Sequence, residues 1–191
     1  MDKNLSDKDK KTLLLVAREA IVNAIQNKRI DDLDLANYSK ILREHGASFV
    51  TLHRKSDGQL RGCIGALEAY QPLVQDVQHH AVAAALEDYR FPPVTFNEIN
   101  NLNIEISRLS APVNLKYDNP LELPGMLKPG LDGVILKDGF RKATFLPQVW
   151  EQLPDPEEFL AHLCRKMGDR PDRWKMKLLE VSTYQVEEFH E

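Results

Sequence analysis

Two Asp-Gly turns constrain this chain more than any other feature. Asp57-Gly58 lies in Lys55-Ser56-Asp57-Gly58 between the strand-like runs 47–53 and 59–67, and Asp138-Gly139 lies in Lys137-Asp138-Gly139-Phe140 between 133–136 and 141–146. Asp-Gly supplies the left-handed backbone that a tight hairpin needs, so each pair of runs reads as a β-hairpin. A chain with two such hairpins is committed to a largely antiparallel sheet. Residues 103–109 alternate as a further strand, and 178–189 read as one final strand.

The helical signals are as local. Ser6 precedes Leu13, Leu14, Ala17, Ala20, Ile21, Ala24 and Ile25, the spacing of an amphipathic helix over 6–27. Pro72 opens a second helix over 71–87, with Leu73, Val77, Ala81, Ala84 and Ala85 as a buried stripe whose small residues permit close packing on a sheet. Asp155 starts a third, which should stop near Gly168. Residues 30–40 read as a loop. Pro112, Pro120, Pro124 and Pro129 break the chain repeatedly, which marks a small lobe around 111–150. Strands mixed irregularly with helices predict an α+β fold in one domain over 1–191: a mainly antiparallel sheet flanked by helices, with a smaller antiparallel lobe.

Composition enters through what it excludes. With 42% hydrophobic residues the chain can build a core, and a net charge of −4 argues against a protein held to nucleic acid by its overall charge. The longest apolar run near the start, 13–17, is too short for a membrane span or a signal-peptide core, so a cytoplasmic location with no membrane partner is expected. The only cysteines, Cys63 and Cys164, form no CxxC pair, and both thiols are expected to be free. His79 and His80 are neighbours on a helix and cannot readily grip one metal, so no metal site is expected. The nucleotide-binding and serine-hydrolase motifs are missing as well.

Chemistry concentrates in Leu60-Arg61-Gly62-Cys63-Ile64-Gly65. Strand alternation puts Leu60, Gly62 and Ile64 on one face and Arg61, Cys63 and Gly65 on the other, so a thiol shares a face with a guanidinium that would lower its pKa. Gly62 and Gly65 would leave backbone open to a ligand beside the sulfur. The plainer alternative is a small buried cysteine, with Arg61 paired at the surface. Asp88 and Arg90 either bind a polar ligand or fasten the turn before Pro92-Pro93. Glu105 is a general base or a partner for Arg61 if its strand shares the sheet, and otherwise an exposed strand glutamate.

These residues resemble the AMMECR family. The likeness rests on LRGCIG at 60–65, AAALEDYRFPPV ending at Val94, IEISRLSAP from Ile104, PGLDGVIL at 129–136 and FLPQVWEQLP at 145–154. It departs at Lys166-Met167-Gly168-Asp169, where many members have Lys-Ala-Gly-Leu. The resemblance implies an α+β fold with a larger and a smaller lobe. It also implies work beside a Memo-like protein and a radical SAM protein, with no settled reaction, cofactor or oligomeric state. Two classes of function stay open. One is an enzyme or small-molecule site with Cys63 and Glu105 in catalysis and Arg61, Gly62, Gly65, Asp88 and Arg90 on the substrate; the other is a non-catalytic docking module for those partners.

Overall fold

The structure, a computed structural model, describes residues 4–191 and divides into two compact units. The first runs to Leu109 and regains the chain at Glu187–Glu191; the second is Ser110–Val186. The segment marked as a small lobe is therefore longer than 111–150, because the third helix and the strand after it belong to the same unit.

In the first unit α1 (Asp7–Ile25) begins at a capping box. The Ser6 hydroxyl accepts from the Asp9 N–H at 3.1 Å, and the Asp9 carboxylate accepts from the Ser6 N–H at 3.2 Å. After the short α2 (Lys40–Arg43) come β1 (His45–Arg54), β2 (Leu60–Gly65) and β3 (Gln71–Pro72). Residues 71 and 72, expected in the second helix, pair with His45 and Gly46 first, so α3 spans Leu73–Leu86 with Pro72 as its N-cap. The sheet, completed by β4 (Leu102–Leu109) and a late strand, has the order β2-β1-β4 and then that strand, with β3 also beside β1. Val50 and Leu52 of β1 and Ile104 and Ile106 of β4 form one core with Leu13, Ala17 and Ile21 of α1 and Leu73, Val77 and Ala84 of α3. Both long helices thus lie on one face of the sheet, driven there by apolar stripes at helical spacing.

The second unit holds β5 (Val113–Asn114), α4 (Leu123–Met126), β6 (Gly133–Asp138), β7 (Arg141–Phe145), α5 (Pro156–Lys166), α6 (Arg173–Met176) and β8 (Glu180–Tyr184), with sheet order β5-β8-β6-β7. Its core stacks Trp150 on Phe159, ring centroids 3.7 Å apart, beside Leu160, Leu163, Cys164 and Trp174. Gly168 (φ 81°) ends α5. Its N–H donates to the Arg165 carbonyl and the Asp169 N–H to the Cys164 carbonyl, both at 3.0 Å, the pairing of a Schellman cap.

Two expectations need correction. Residues 178–189 are two strands, β8 and β9 (Val186–His190), in different sheets. The break is Gln185, whose N–H and C=O are both taken by Ser110, at 2.9 and 2.8 Å. The second hairpin also turns later than Asp-Gly suggests. Asp138 pairs with Arg141 inside the ladder, which leaves Gly139-Phe140 as the two-residue loop; a positive φ at Gly139 alone is the II′ pattern.

Candidate functional site

β2 is an edge strand, and Cys63 lies in its middle opposite Thr51. An edge strand leaves alternate N–H and C=O groups without a ladder partner, and each needs one from elsewhere. At Cys63 two side chains supply both. Asp88 Oδ2 accepts from the Cys63 N–H at 2.8 Å, and Arg90 Nη2 donates to the Cys63 carbonyl at 3.2 Å. The two side chains are joined by a bidentate pair, Arg90 Nε to Asp88 Oδ1 at 2.9 Å and Nη2 to Oδ2 at 2.7 Å. Asp88 and Arg90 therefore stand in for one residue of a neighbouring strand. Asp88 is only 4% exposed. The Arg90 guanidinium, with help from the Cys63 N–H and against the pull of burial, holds its carboxyl well below the usual carboxylate range, while Asp88 pushes Arg90 up.

The cation beside Cys63 is thus Arg90, not Arg61. β2 carries a bulge at Arg61, since Leu52 stands opposite Gly62 but His53 stands opposite Leu60. This breaks the alternation assumed for the strand and moves Leu60 away from the face of Gly62. Arg61 is buried and committed to Glu98, with Nε to Oε1 at 3.1 Å and Nη2 to Oε2 at 3.4 Å. Hydrogen bonds from Thr95 and Arg61 outweigh burial and lower the Glu98 carboxyl. Phe91 links the two guanidinium groups, 6.0 Å from Arg61 and 5.6 Å from Arg90.

The glycines serve the protein's own packing. A Cβ on Gly62 would lie 2.1 Å from the Ala84 carbonyl oxygen, so α3 rests directly on β2 there. A Cβ on Gly65 would meet the Phe49 ring and the Ser48 carbonyl oxygen at 2.4 Å. The space expected for a ligand at these two positions is filled by α3 and β1.

Glu105, Thr51 and Cys63 stand opposite one another across β4, β1 and β2, so all three side chains leave the sheet on the face away from α1 and α3. Glu105 and Cys63 are two strand spacings apart, about 10 Å. Thr51 stands between them, and its hydroxyl donates to Cys63 Sγ at 3.3 Å. Glu105 approaches His53 instead, Oε2 to Nε2 at 4.0 Å. The other ring nitrogen, Nδ1, faces the Gly58 carbonyl at 3.1 Å and must donate to it. Thr51 and His53 escaped the motif reading, although the alternation Val50, Thr51, Leu52, His53 places both on the polar side of β1. What the face offers chemically is a partly exposed thiol with a hydroxyl donor on its sulfur, a fixed backbone, and an imidazole-carboxylate pair one step along the sheet.

The remaining candidates lie elsewhere. His80 is buried on Asp76, Nδ1 to Oδ2 at 3.2 Å, and Asp76 also accepts from Ser48 at 2.7 Å; His79 stacks on His80 outside. Among the described residues no group of three or more His, Cys, Asp or Glu side chains is placed to hold a metal ion, and no helix is long and apolar enough to cross a membrane. Both cysteines are free, and Cys164 is fully buried, which pushes its thiol up.

Comparison with known proteins places these residues among relatives. The family model AMMECR1 matches residues 14–189. Protein MJ0810 of Methanocaldococcus jannaschii is 38% identical over 176 residues, 92% of this chain and 86% of its own length. A protein of Methanothermobacter thermautotrophicus is 37% identical over 191 residues, covering 98% and 96%. The crystal structure of the uncharacterized protein PH0010 from Pyrococcus horikoshii superposes with a TM-score of 0.81 at 35% identity, covering 98% of this chain and 93% of that one.

Proposed function

The chain belongs to the AMMECR1 family, and from that premise we propose that the Cys63 face of its first unit is a thiol site for a small molecule, with Cys63 as nucleophile or substrate anchor. The observation that carries this reading is the clamp: a partly exposed cysteine has both backbone polar groups fixed by a buried carboxylate and its guanidinium partner. Fixing a backbone so firmly pre-organises a sulfur, as a reacting or anchoring group requires. Thr51 Oγ1 donates to the sulfur, and the Asp88–Arg90 pair that fixes the cysteine backbone is neutral overall, so it positions the thiol without adding net charge beside it. In this reading the Gly58 carbonyl holds the His53 imidazole through Nδ1, and Glu105 lies 4.0 Å from its Nε2 rather than on the sulfur. The family resemblance adds a Memo-like protein and a radical SAM protein as companions in the same pathway.

A second reading, a docking module for those companions, is favoured by Tyr89. This side chain is 95% exposed between the two clamp residues. The two readings part on the sulfur. Cys63→Ser should cost less than about 1 kcal/mol, because the site is partly exposed and Thr51 can bond an oxygen as well. Cys164→Ser should cost about 1 to 3 kcal/mol, because it places a hydroxyl in an apolar core. Denaturant midpoints of the two variants measure this directly. A larger loss at Cys63 would make its thiol a packing group and leave only the docking reading.

A further inference from the structure

Against the expectation of no membrane partner, which rests on the lack of a spanning segment, we infer that the hairpin end of the second unit is a peripheral docking surface for membranes bearing anionic phosphate headgroups. This inference does not rest on the Cys63 reading and concerns a different part of the chain. Residues 137–142 and 165–177 carry nine lysines and arginines against three aspartates, in a chain whose net charge is −4. The structure brings the two segments together. Arg173 Nη2 and Lys177 Nζ bond Asp138 at 2.8 and 2.7 Å, and Arg141 bonds Asp169 at 2.6 Å. The two carboxylates are 10% and 13% exposed, whereas the three cations above them are 32–50% exposed. These two negative charges are thus sunk beneath the cations that bond them. Three further acids on this side are exposed, each paired with a cation, Glu180 (68%) with Lys137, Asp172 (43%) with Arg170 and Glu157 (56%) with Lys175, so nine cations stand against these five carboxylates and the surface keeps a net positive charge.

Apolar side chains project through this basic layer. Phe140 is fully exposed at the tip of the β6-β7 hairpin, because Asp138 stays in the ladder and the turn falls on Gly139-Phe140. Lys137 of β6 stands opposite Glu180 of β8, so the chain entering β8 runs alongside that tip, and it presents Met176 at 64% and Leu178 at 48% exposed. A phenyl ring, a thioether and an isobutyl group within a basic layer fit an interface where cations meet phosphates and apolar groups enter the acyl boundary. Single-stranded nucleic acid fits less well, since it is gripped by several aromatic faces and only Phe140 offers one here.

The test is co-sedimentation of the full chain with vesicles of pure phosphatidylcholine and of equal parts phosphatidylcholine and phosphatidylglycerol. The expected result is binding to the second only, lost at high salt and weakened about tenfold by Phe140→Ala, which removes a ring that packs on nothing in the fold. Phe140→Trp adds an independent readout, since Trp150 and Trp174 are buried and change little: its emission should shift to the blue on anionic vesicles. Three outcomes overturn the proposal. They are no difference between the vesicles, an unshifted Phe140→Trp emission on binding, and tighter retention on a single-stranded oligonucleotide than on anionic vesicles.

Discussion

Gly62→Val is expected to destabilise the first unit by about 3 kcal/mol or more, although valine is the better strand former. The reason is steric. A Cβ at this position would lie 2.1 Å from the carbonyl oxygen of Ala84, which belongs to helix backbone and has no rotamer to change. To make room, α3 must lift from β2, and the core shared by Ala84, Leu52 and Val77 opens with it. Gly62→Ala should show most of the same loss, because the first carbon already makes the clash. By contrast, valine at the open Gly125, where an added Cβ meets nothing within 4 Å, should leave the midpoint nearly unchanged. Thermal or urea unfolding of the three variants checks the series.

Asp88→Ala should be the other severe change, at about 2 to 3 kcal/mol. The substitution strips the Cys63 N–H of its acceptor and leaves Arg90 without the carboxylate that holds it at the Cys63 carbonyl. Its pH signature separates it from a general packing defect. The Asp88 carboxyl is held below its unfolded value, near 3.9, so its stabilisation is fully present above that pH and is lost as pH falls toward the folded value. The gap between the natural chain and Asp88→Asn should therefore be constant above about pH 5 and should narrow below about pH 4. Urea midpoints taken across that range test the sign; a gap that widens in acid would show that Asp88 folds protonated.

The parts of this molecule that sequence made legible are those set by neighbours in the chain. Asp-Gly turns located both hairpins, and the stripes on α1, α3 and α5 located their buried faces, because a turn or a helix is decided within a few residues. The sequence marks Gly62 as a place of close approach and points to a ligand as the approaching group. What it admits, the Ala84 carbonyl, lies 22 residues on and was not readable. The same holds for the clamp: Asp88 and Arg90 could be paired from sequence, but not the edge of β2 that they complete. Arg61 misled because period-two alternation assumes a regular strand, and a bulge leaves no mark in composition. The final strand misled for a related reason. Its pattern runs unbroken through Gln185, where only the bonds to Ser110 show that the chain changes sheet.

If Cys63 is a poised thiol, its rate of alkylation shows it. In the native protein at neutral pH, iodoacetamide should modify Cys63 at least about tenfold faster than Cys164, followed residue by residue with mass spectrometry. Burial alone slows Cys164, so the decisive comparison is with a free-cysteine peptide: Cys63 should react at least as fast as the peptide, and Thr51→Val should slow it. A Cys63 that reacts far more slowly than the peptide, with Thr51→Val making no difference, would contradict the account and leave the clamp as a device for closing the edge of β2.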